Sequence, residues 1–223
     1  MTRLSTVKGR FRKLARKSLF DQVGALRSLL PSWRWWLVYR PHLGQVGRGS
    51  LIQRPLLLMG PQYIKMGANV RFRQLCRIEA RPVIDSRVPV LEIGDGTTFE
   101  QGVHIVCVNR ITIGARCSFS AFCCITDLDH PFDPTVPHVA SGPRIGDRAS
   151  LEDLGVTIGD DCFIGIGVAI LPGVTIGRGC VIGANSVVTR DLPAGSIAAG
   201  MPARVIRTWP EHDRSVEMRP SMN

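Results

Sequence analysis

The 223-residue sequence has no run of about 18 apolar residues, the length needed to cross a bilayer. Its basic start contains no apolar segment followed by a small-residue cleavage site, so it does not resemble a secretory signal. The seven cysteines are odd in number and none are spaced as CxxC, which argues against a disulfide framework and a zinc ribbon. These absences predict a cytoplasmic protein without a membrane span.

Two kinds of catalytic site are also missing from the sequence. No GxSxG motif is present, which argues against a serine hydrolase of that type. The five histidines show no spacing typical of zinc ligands, so we expect no metal site.

The net charge of +10 comes almost entirely from one end of the chain. Residues 1–40 carry ten Lys and Arg against the single acid Asp21, whereas the remaining residues carry 18 basic and 17 acidic side chains. A basic end on a neutral body binds anionic lipid, nucleic acid or an acidic partner by the same Coulomb attraction. Charge alone does not choose among these partners, and a nucleic-acid partner is not expected.

A six-residue repeat is the strongest pattern in the sequence. Branched aliphatic residues recur at Ile158, Ile164, Ile170, Ile176, Ile182 and Val188. The same period appears upstream at Met66, Phe72, Ile78, Ile84, Ile93, Phe99, Ile105, Ile113, Phe119 and Ile125. Three such hexads form a coil of about 18 residues with three short strands, each anchor pointing into a triangular prism. The repeat predicts a mainly β fold, a parallel β-helix.

The fifth position of each hexad is also predicted to face inward and must be small. It holds Cys117, Cys123, Cys162, Val168, Val174, Cys180 and Ser186. We therefore interpret four of the cysteines as small core residues rather than nucleophiles or ligands. Glycine follows many anchors, which is typical of a corner that needs a permissive backbone.

The pattern divides the chain into three segments. Residues 1–45 form a basic segment whose apolar residues recur at helical spacing, which predicts an amphipathic α-helix ending near Pro31. Residues 46–207 form the β-helix, and residues 208–223 a polar tail. The sequence WRWWLVYR at 33–40 suits either a cap on the prism or contact with the inner membrane face through residues 1–40.

One segment, 127–155, interrupts the repeat and is predicted to be an extruded loop. It is polar and proline-rich, and loops on a rigid scaffold are where function concentrates. Its opening places His130 near Asp127 and Asp129, one of which would orient the imidazole of a general base. The second loop histidine, His138, has no adjacent acid and is interpreted as inert.

The motifs DHPFD, IGDDCFIGIGVAILPGVTIGRGCVIGANSVVTRDLP and AAGMPARVIR together resemble the hexapeptide-repeat acyltransferases, especially maltose, galactoside and polysaccharide O-acetyltransferases. The resemblance covers about residues 60 to 207. It implies a left-handed parallel β-helix, a homotrimer with active sites between subunits, and acetyl-CoA as acyl donor. It also implies that His130 is the base.

The same resemblance implies the remaining site residues. Those implied to contact the cofactor are Gly165, Ile166, Ala184, Thr189, Arg190, Arg204 and Arg207, the last two near its phosphates. Glu100, in the stretch FEQG, stands where the maltose and galactoside enzymes carry Asn residues and is predicted to contact the acceptor. This departure leaves the acceptor sugar undefined.

The sequence favours an O-acetyltransferase acting on a hydroxyl of a sugar, a polysaccharide or a lipid-linked saccharide, by direct transfer without an acyl-enzyme. Two alternatives stay open at this point. One is an N-acetyltransferase of the same fold acting on a nucleotide sugar, amino sugar or antibiotic. The other is a non-catalytic β-helix scaffold.

Overall fold

The computed structural model describes residues 35–82, 90–129 and 154–209. The chain divides into two units, Met1–Pro41 and His42–Asn223. A π-helical turn forms at Trp35–Tyr39, and 3-10 turns form at Arg40–His42 and Pro61–Tyr63. In the described ranges no helix is long and apolar enough to cross a membrane. The amphipathic helix predicted before Pro31 lies outside the described residues.

The second unit is built from short strands in three sheets, which we call A, B and C. Sheet A contains β1 (Gln45–Val46), β4 (Ile64–Met66), β7 (Leu91–Ile93), β10 (Ile111–Ile113), β13 (Val156–Ile158) and β16 (Thr175–Ile176). Sheet B contains β2 (Leu51–Ile52), β5 (Arg71–Phe72), β8 (Thr98–Phe99), β11 (Ser118–Phe119), β14 (Phe163–Ile164), β17 (Val181–Ile182), β19 (Ser196–Gly200) and β20 (Ala203–Thr208). Sheet C contains β3 (Leu57–Met59), β6 (Arg77–Ala80), β9 (His104–Cys107), β12 (Cys124–Thr126), β15 (Ala169–Ile170) and β18 (Val187–Val188).

The chain visits the sheets in the order A, B, C and then returns to A, so each strand pairs with its equivalent one coil away. The pairs are parallel throughout, except that β20 folds back antiparallel on β19. Strands only two or three residues long are stable here because both neighbours of a coil supply hydrogen bonds along the stack. This arrangement is the mainly β, parallel-sheet fold that the six-residue period predicts.

The core is a narrow column of the predicted anchors. Every described anchor is buried, and so is every small residue at the fifth position, which confirms that Cys117, Cys123, Cys162 and Cys180 face inward. Aromatic anchors stack in three successive coils of sheet B. The ring centroids of Phe72 and Phe99 are 4.0 Å apart, and that of Phe119 lies 4.7 Å from that of Phe99.

The glycines that follow the anchors have a different cause from the one predicted. Left-handed φ angles occur two residues further along, as at Gly167 and Asn185. A Cβ on Gly165 would instead lie 2.7 Å from the backbone nitrogen of Ala184 in the next coil. Close stacking of coils, rather than a permissive backbone, therefore excludes a side chain at Gly165.

Candidate active site

The predicted site residues lie on two corners of the prism, one on each side of sheet C. The corner between sheets B and C, the BC corner, includes residues 100–103, 165–168 and 183–186; the corner between C and A, the CA corner, includes 108–110 and 189–191. Glu100, Gly165, Ile166 and Ala184 lie on the BC corner, whereas Asp127, Thr189 and Arg190 lie on the CA corner. Within one chain the width of sheet C separates the two groups.

Asp127 follows β12 directly and is fully buried. Its Oδ1 accepts the backbone N–H of Val108 at 2.7 Å, and its Oδ2 accepts that of Asn109 at 2.8 Å. Burial raises the pKa of Asp127, and the two backbone hydrogen bonds oppose that rise. The side chain therefore pins the start of the interrupting segment to the turn of the preceding coil.

Asp129 is exposed and lies at the last described position before the gap. His130 and most of the predicted loop, residues 130–153, lie outside the described residues. The roles of His130 as base and of Asp127 or Asp129 as orienter stay predictions.

Glu100 lines a shallow depression of about 190 Å³ on the outer face of sheet B. Its Oε1 lies 3.6 Å from Nε of Arg73, and both side chains are about half exposed. Arg71, Thr98 and Gln53 complete the polar lining. The depression offers charged and hydrogen-bonding groups of the kind that recognise hydroxyls, so it is compatible with the predicted acceptor contact.

Three predicted cofactor residues lie on the BC corner in two successive coils, Gly165 and Ile166 in one and Ala184 in the next. Gly165 donates its N–H to the carbonyl of Ile182, and its lack of a side chain is required by Ala184 above it. Ile166 points outward and is 47% exposed. The corner therefore presents an apolar ridge beside a flat backbone surface.

The other predicted cofactor residues are exposed at the end of the prism. Thr189 and Arg190 follow β18 on the CA corner. Arg204 and Arg207 lie on β20, where the guanidinium of Arg207 sits 5.0 Å from the ring centre of Trp209. Arg204 donates to the carbonyl of Ala203 at 3.0 Å. Both arginines on β20 keep donors directed to solvent, which suits binding of phosphate.

Sequence reasoning missed a charged cluster on the outer face of sheet C, formed by Arg77, Glu79, Arg81 and His104. The alternation of charged and apolar residues in RIEAR, residues 77–81, was the sequence signal that indicated a charged outer face on this strand. In the parts of the chain that the structure covers, no group of three or more His, Cys, Asp or Glu is arranged to hold a metal ion.

The comparisons with known proteins agree with this architecture. The model of the bacterial transferase hexapeptide family (six repeats) matches residues 155–190, the most regular coils. Nodulation protein L of Rhizobium meliloti (strain 1021) is 36% identical over 172 residues, covering 77% of this chain and 74% of that protein. The chain belongs to the bacterial hexapeptide-repeat transferases. The resemblance to hexapeptide-repeat acyltransferases is thereby confirmed.

Two further members of this group carry names that specify the reaction. WbbJ of Escherichia coli (strain K12), provisionally named a lipopolysaccharide biosynthesis O-acetyl transferase, is 36% identical over 122 residues, covering 54% of this chain and 61% of WbbJ. The crystal structure of a maltose O-acetyltransferase from Clostridium difficile 630 superposes with a TM-score of 0.52 at 27% identity, covering 78% of this chain and 73% of that one. The chain thus spans less than two thirds of WbbJ.

Proposed function

We propose that the protein transfers an acetyl group from acetyl-CoA to a hydroxyl of a saccharide. The observation that carries the proposal is the likeness to relatives named O-acetyltransferases, one covering 54% of this chain in sequence and the other 78% of it in structure. The two groups of residues lie on the two corners that flank sheet C, so they would meet in one site only between neighbouring copies of the chain. The acceptor is a sugar, a polysaccharide or a lipid-linked saccharide.

In the proposed reaction, the imidazole of His130 removes the proton of the acceptor hydroxyl as its oxygen attacks the thioester carbonyl. The carbon–sulfur bond then breaks, and the CoA thiolate takes the proton back from the imidazolium. Backbone N–H groups stabilise the oxyanion. Since both oxygens of Asp127 already hold backbone donors, we assign orientation of the imidazole to Asp129 and the anchoring of the loop to Asp127.

Acetyl-CoA is proposed to lie along the BC corner. Its pantetheine arm would pass the apolar ridge at Ile166 and the flat backbone at Gly165 and Ala184, while Arg204 and Arg207 would hold its phosphates. Thr189 and Arg190 lie across sheet C from this corner. They would reach the same cofactor only from a neighbouring copy of the chain.

This separation supports a homotrimer with the active site between subunits. The CA corner of one subunit, with Asp127 and the loop that follows, would face the BC corner of the next, with Glu100 and Gly165. We also infer from the family resemblance that the β-helix is left-handed. Its later coils are 18 residues long, since Thr157 pairs with Thr175 and Phe163 with Val181, whereas the coil from Thr98 to Ser118 has 20 residues.

Residues 1–40 are proposed to contact an anionic membrane surface peripherally from the cytoplasmic side. Flotation of the protein with and without this segment on vesicles containing anionic lipid tests the idea. Equal flotation of both forms would contradict it.

Mass spectrometry of reaction products tests the proposed function. The protein is incubated with acetyl-CoA and a panel of sugars, nucleotide sugars and amino sugars, and each product is then treated with hydroxylamine, which cleaves esters and spares amides. A hydroxylamine-sensitive product one acetyl group heavier than the acceptor supports O-transfer. A resistant product would assign the N-acetyltransferase alternative, and the absence of any product together with no binding of CoA would favour a scaffold.

A further inference from the structure

The cluster on sheet C is built on the outer side of strand β6. Ile78 points into the core, so Arg77 and Glu79 on either side of it share the outer face. Arg81 follows the strand, and His104 on β9 is in register with Arg77. Four ionisable groups therefore converge on the outer surface of one sheet.

Glu79 is almost fully buried although it points away from the core, since its side chain is 3% exposed. Its Oε1 accepts Nε of Arg77 at 2.5 Å, and its Oε2 lies 3.0 Å from Nη2 of Arg81. One carboxylate thus fixes two guanidinium groups through opposite oxygens. A buried carboxylate is costly unless it is paired, so these two contacts are what make its position tenable.

The arginines keep most of their binding capacity. A guanidinium has five N–H donors, and Glu79 occupies few of them. The side chains of Arg77 and Arg81 are 47% and 52% exposed, so their outer halves reach solvent. Burial and the charge of Arg77 lower the pKa of His104, which leaves the imidazole neutral at neutral pH. The four groups therefore carry one excess positive charge, held in fixed geometry.

The cluster lies on the outer face of sheet C, between the two corners that carry the predicted site residues. Glu79 is in register with Val106, and Val106 with Thr126 at the end of β12. Two strand spacings place Glu79 about 10 Å from Thr126, the last strand residue before Asp127 and the interrupting loop. A saccharide lying along sheet C would span this distance.

We propose that Arg77 and Arg81, positioned by Glu79, bind an anionic group on the acceptor saccharide, either a phosphate or a carboxylate. This inference rests on the proposed function and narrows its acceptor to an acidic or phosphorylated sugar. Two guanidinium groups in fixed geometry suit the planar or tetrahedral oxygens of such a group. The competing interpretation is a surface ion-pair network without a ligand.

Isothermal titration calorimetry on the full chain tests the site without requiring turnover. The probes are N-acetylglucosamine, N-acetylglucosamine 1-phosphate and glucuronate, which separate neutral, phosphate and carboxylate ligands. Arg77→Ala with Arg81→Ala is expected to weaken binding of the anionic probe by on the order of tenfold or more. The matched control is Arg48→Ala with Arg178→Ala, which removes the same charge at exposed positions on other corners and should leave affinity within about twofold.

Glu79→Gln separates positioning from simple charge attraction. The substitution raises the net charge by one, so non-specific attraction of an anionic probe predicts tighter binding. Loss of the ion pairs that position Arg77 and Arg81 predicts weaker binding. We expect weaker binding with an unchanged melting profile. Equal affinity of the wild type for neutral and anionic probes, or no difference between the arginine pair and its control, would overturn the proposal. Binding of an anionic probe by a protein that neither binds CoA nor acetylates any acceptor of the panel would reject the proposed function and leave this site standing.

Discussion

The carboxylate of Asp127 accepts the backbone N–H of Val108 at 2.7 Å, across one full turn of the prism. Together with its bond to Asn109, this contact closes the coil from which the interrupting loop departs. Asp127 thus joins the regular repeat to the segment that carries His130.

Asp127→Asn is expected to destabilise the fold. The amide keeps one acceptor where two backbone N–H groups need one each, so a buried donor loses its partner at a cost of about 1–3 kcal/mol. Urea unfolding followed by circular dichroism measures the change. Asp129→Asn, at an exposed position, is the control and should stay within about 0.5 kcal/mol. Equal stability of the two variants would contradict the anchoring role.

Gly165→Ala is expected to be more disruptive than Gly179→Ala. The new Cβ at Gly165 would lie 2.7 Å from a backbone nitrogen of the next coil, whereas nothing lies within 4 Å of a Cβ at Gly179. Gly179 has a φ of 67°, so its substitution costs about 1 kcal/mol of backbone strain. The difference in melting temperature between the two variants measures the extra cost of separating the coils. A smaller loss at Gly165 would contradict close stacking as the reason for that glycine.

The cysteines are expected to be nearly silent toward thiol reagents in the folded protein. Six of the seven are buried, and Cys124, on the outer face, is half-buried. Burial raises the pKa of Cys76 and Cys123 to about 11, so both remain protonated when pH rises from 7 to 9. The hydrogen bond from Cys162 lowers the pKa of Cys180 to about 7, but Cys180 is fully buried and a reagent cannot reach it. Titration with a colorimetric disulfide reagent should therefore detect only slow reaction at Cys124, abolished by Cys124→Ala, until denaturant exposes all seven. Rapid reaction of several thiols in the native state would show that the core is open.

Arg204→Ala and Arg207→Ala are expected to weaken binding of acetyl-CoA. Loss of a charge-assisted hydrogen bond to phosphate should raise KM for acetyl-CoA about tenfold while kcat changes little, since the contact is the same in ground and transition states. Arg178→Ala, an exposed arginine on another corner, serves as the control. If KM is the same in all three variants, the phosphates bind elsewhere.

The sequence allowed the core to be predicted almost residue by residue, because a six-residue period repeats one local geometry. Ile158 and Cys162 are buried because of their positions in the hexad, which can be read within a single coil. Features that depend on the meeting of different coils could not be predicted in this way. Glu79 is buried through contacts that include His104, 25 residues away, and Asp127 finds its partners one coil back, beyond an irregular turn.

The same distinction explains the error about the corner glycines. A permissive backbone is a local property, and the periodicity argument placed it two residues too early in the turn. The clash at Gly165 comes from Ala184, whose height above it is set by strand spacing rather than by the hexad itself. Residue roles that would require contact with a second copy of the chain cannot be predicted from the six-residue period at all.

The release of CoA thiol from acetyl-CoA, compared between wild type and His130→Ala with an acceptor saccharide, tests the central claim most directly. General-base catalysis predicts that the variant loses about 10² to 10⁴ in kcat while its affinity for CoA is retained. An unchanged kcat in a variant that binds CoA normally would remove His130 from the mechanism and contradict the account.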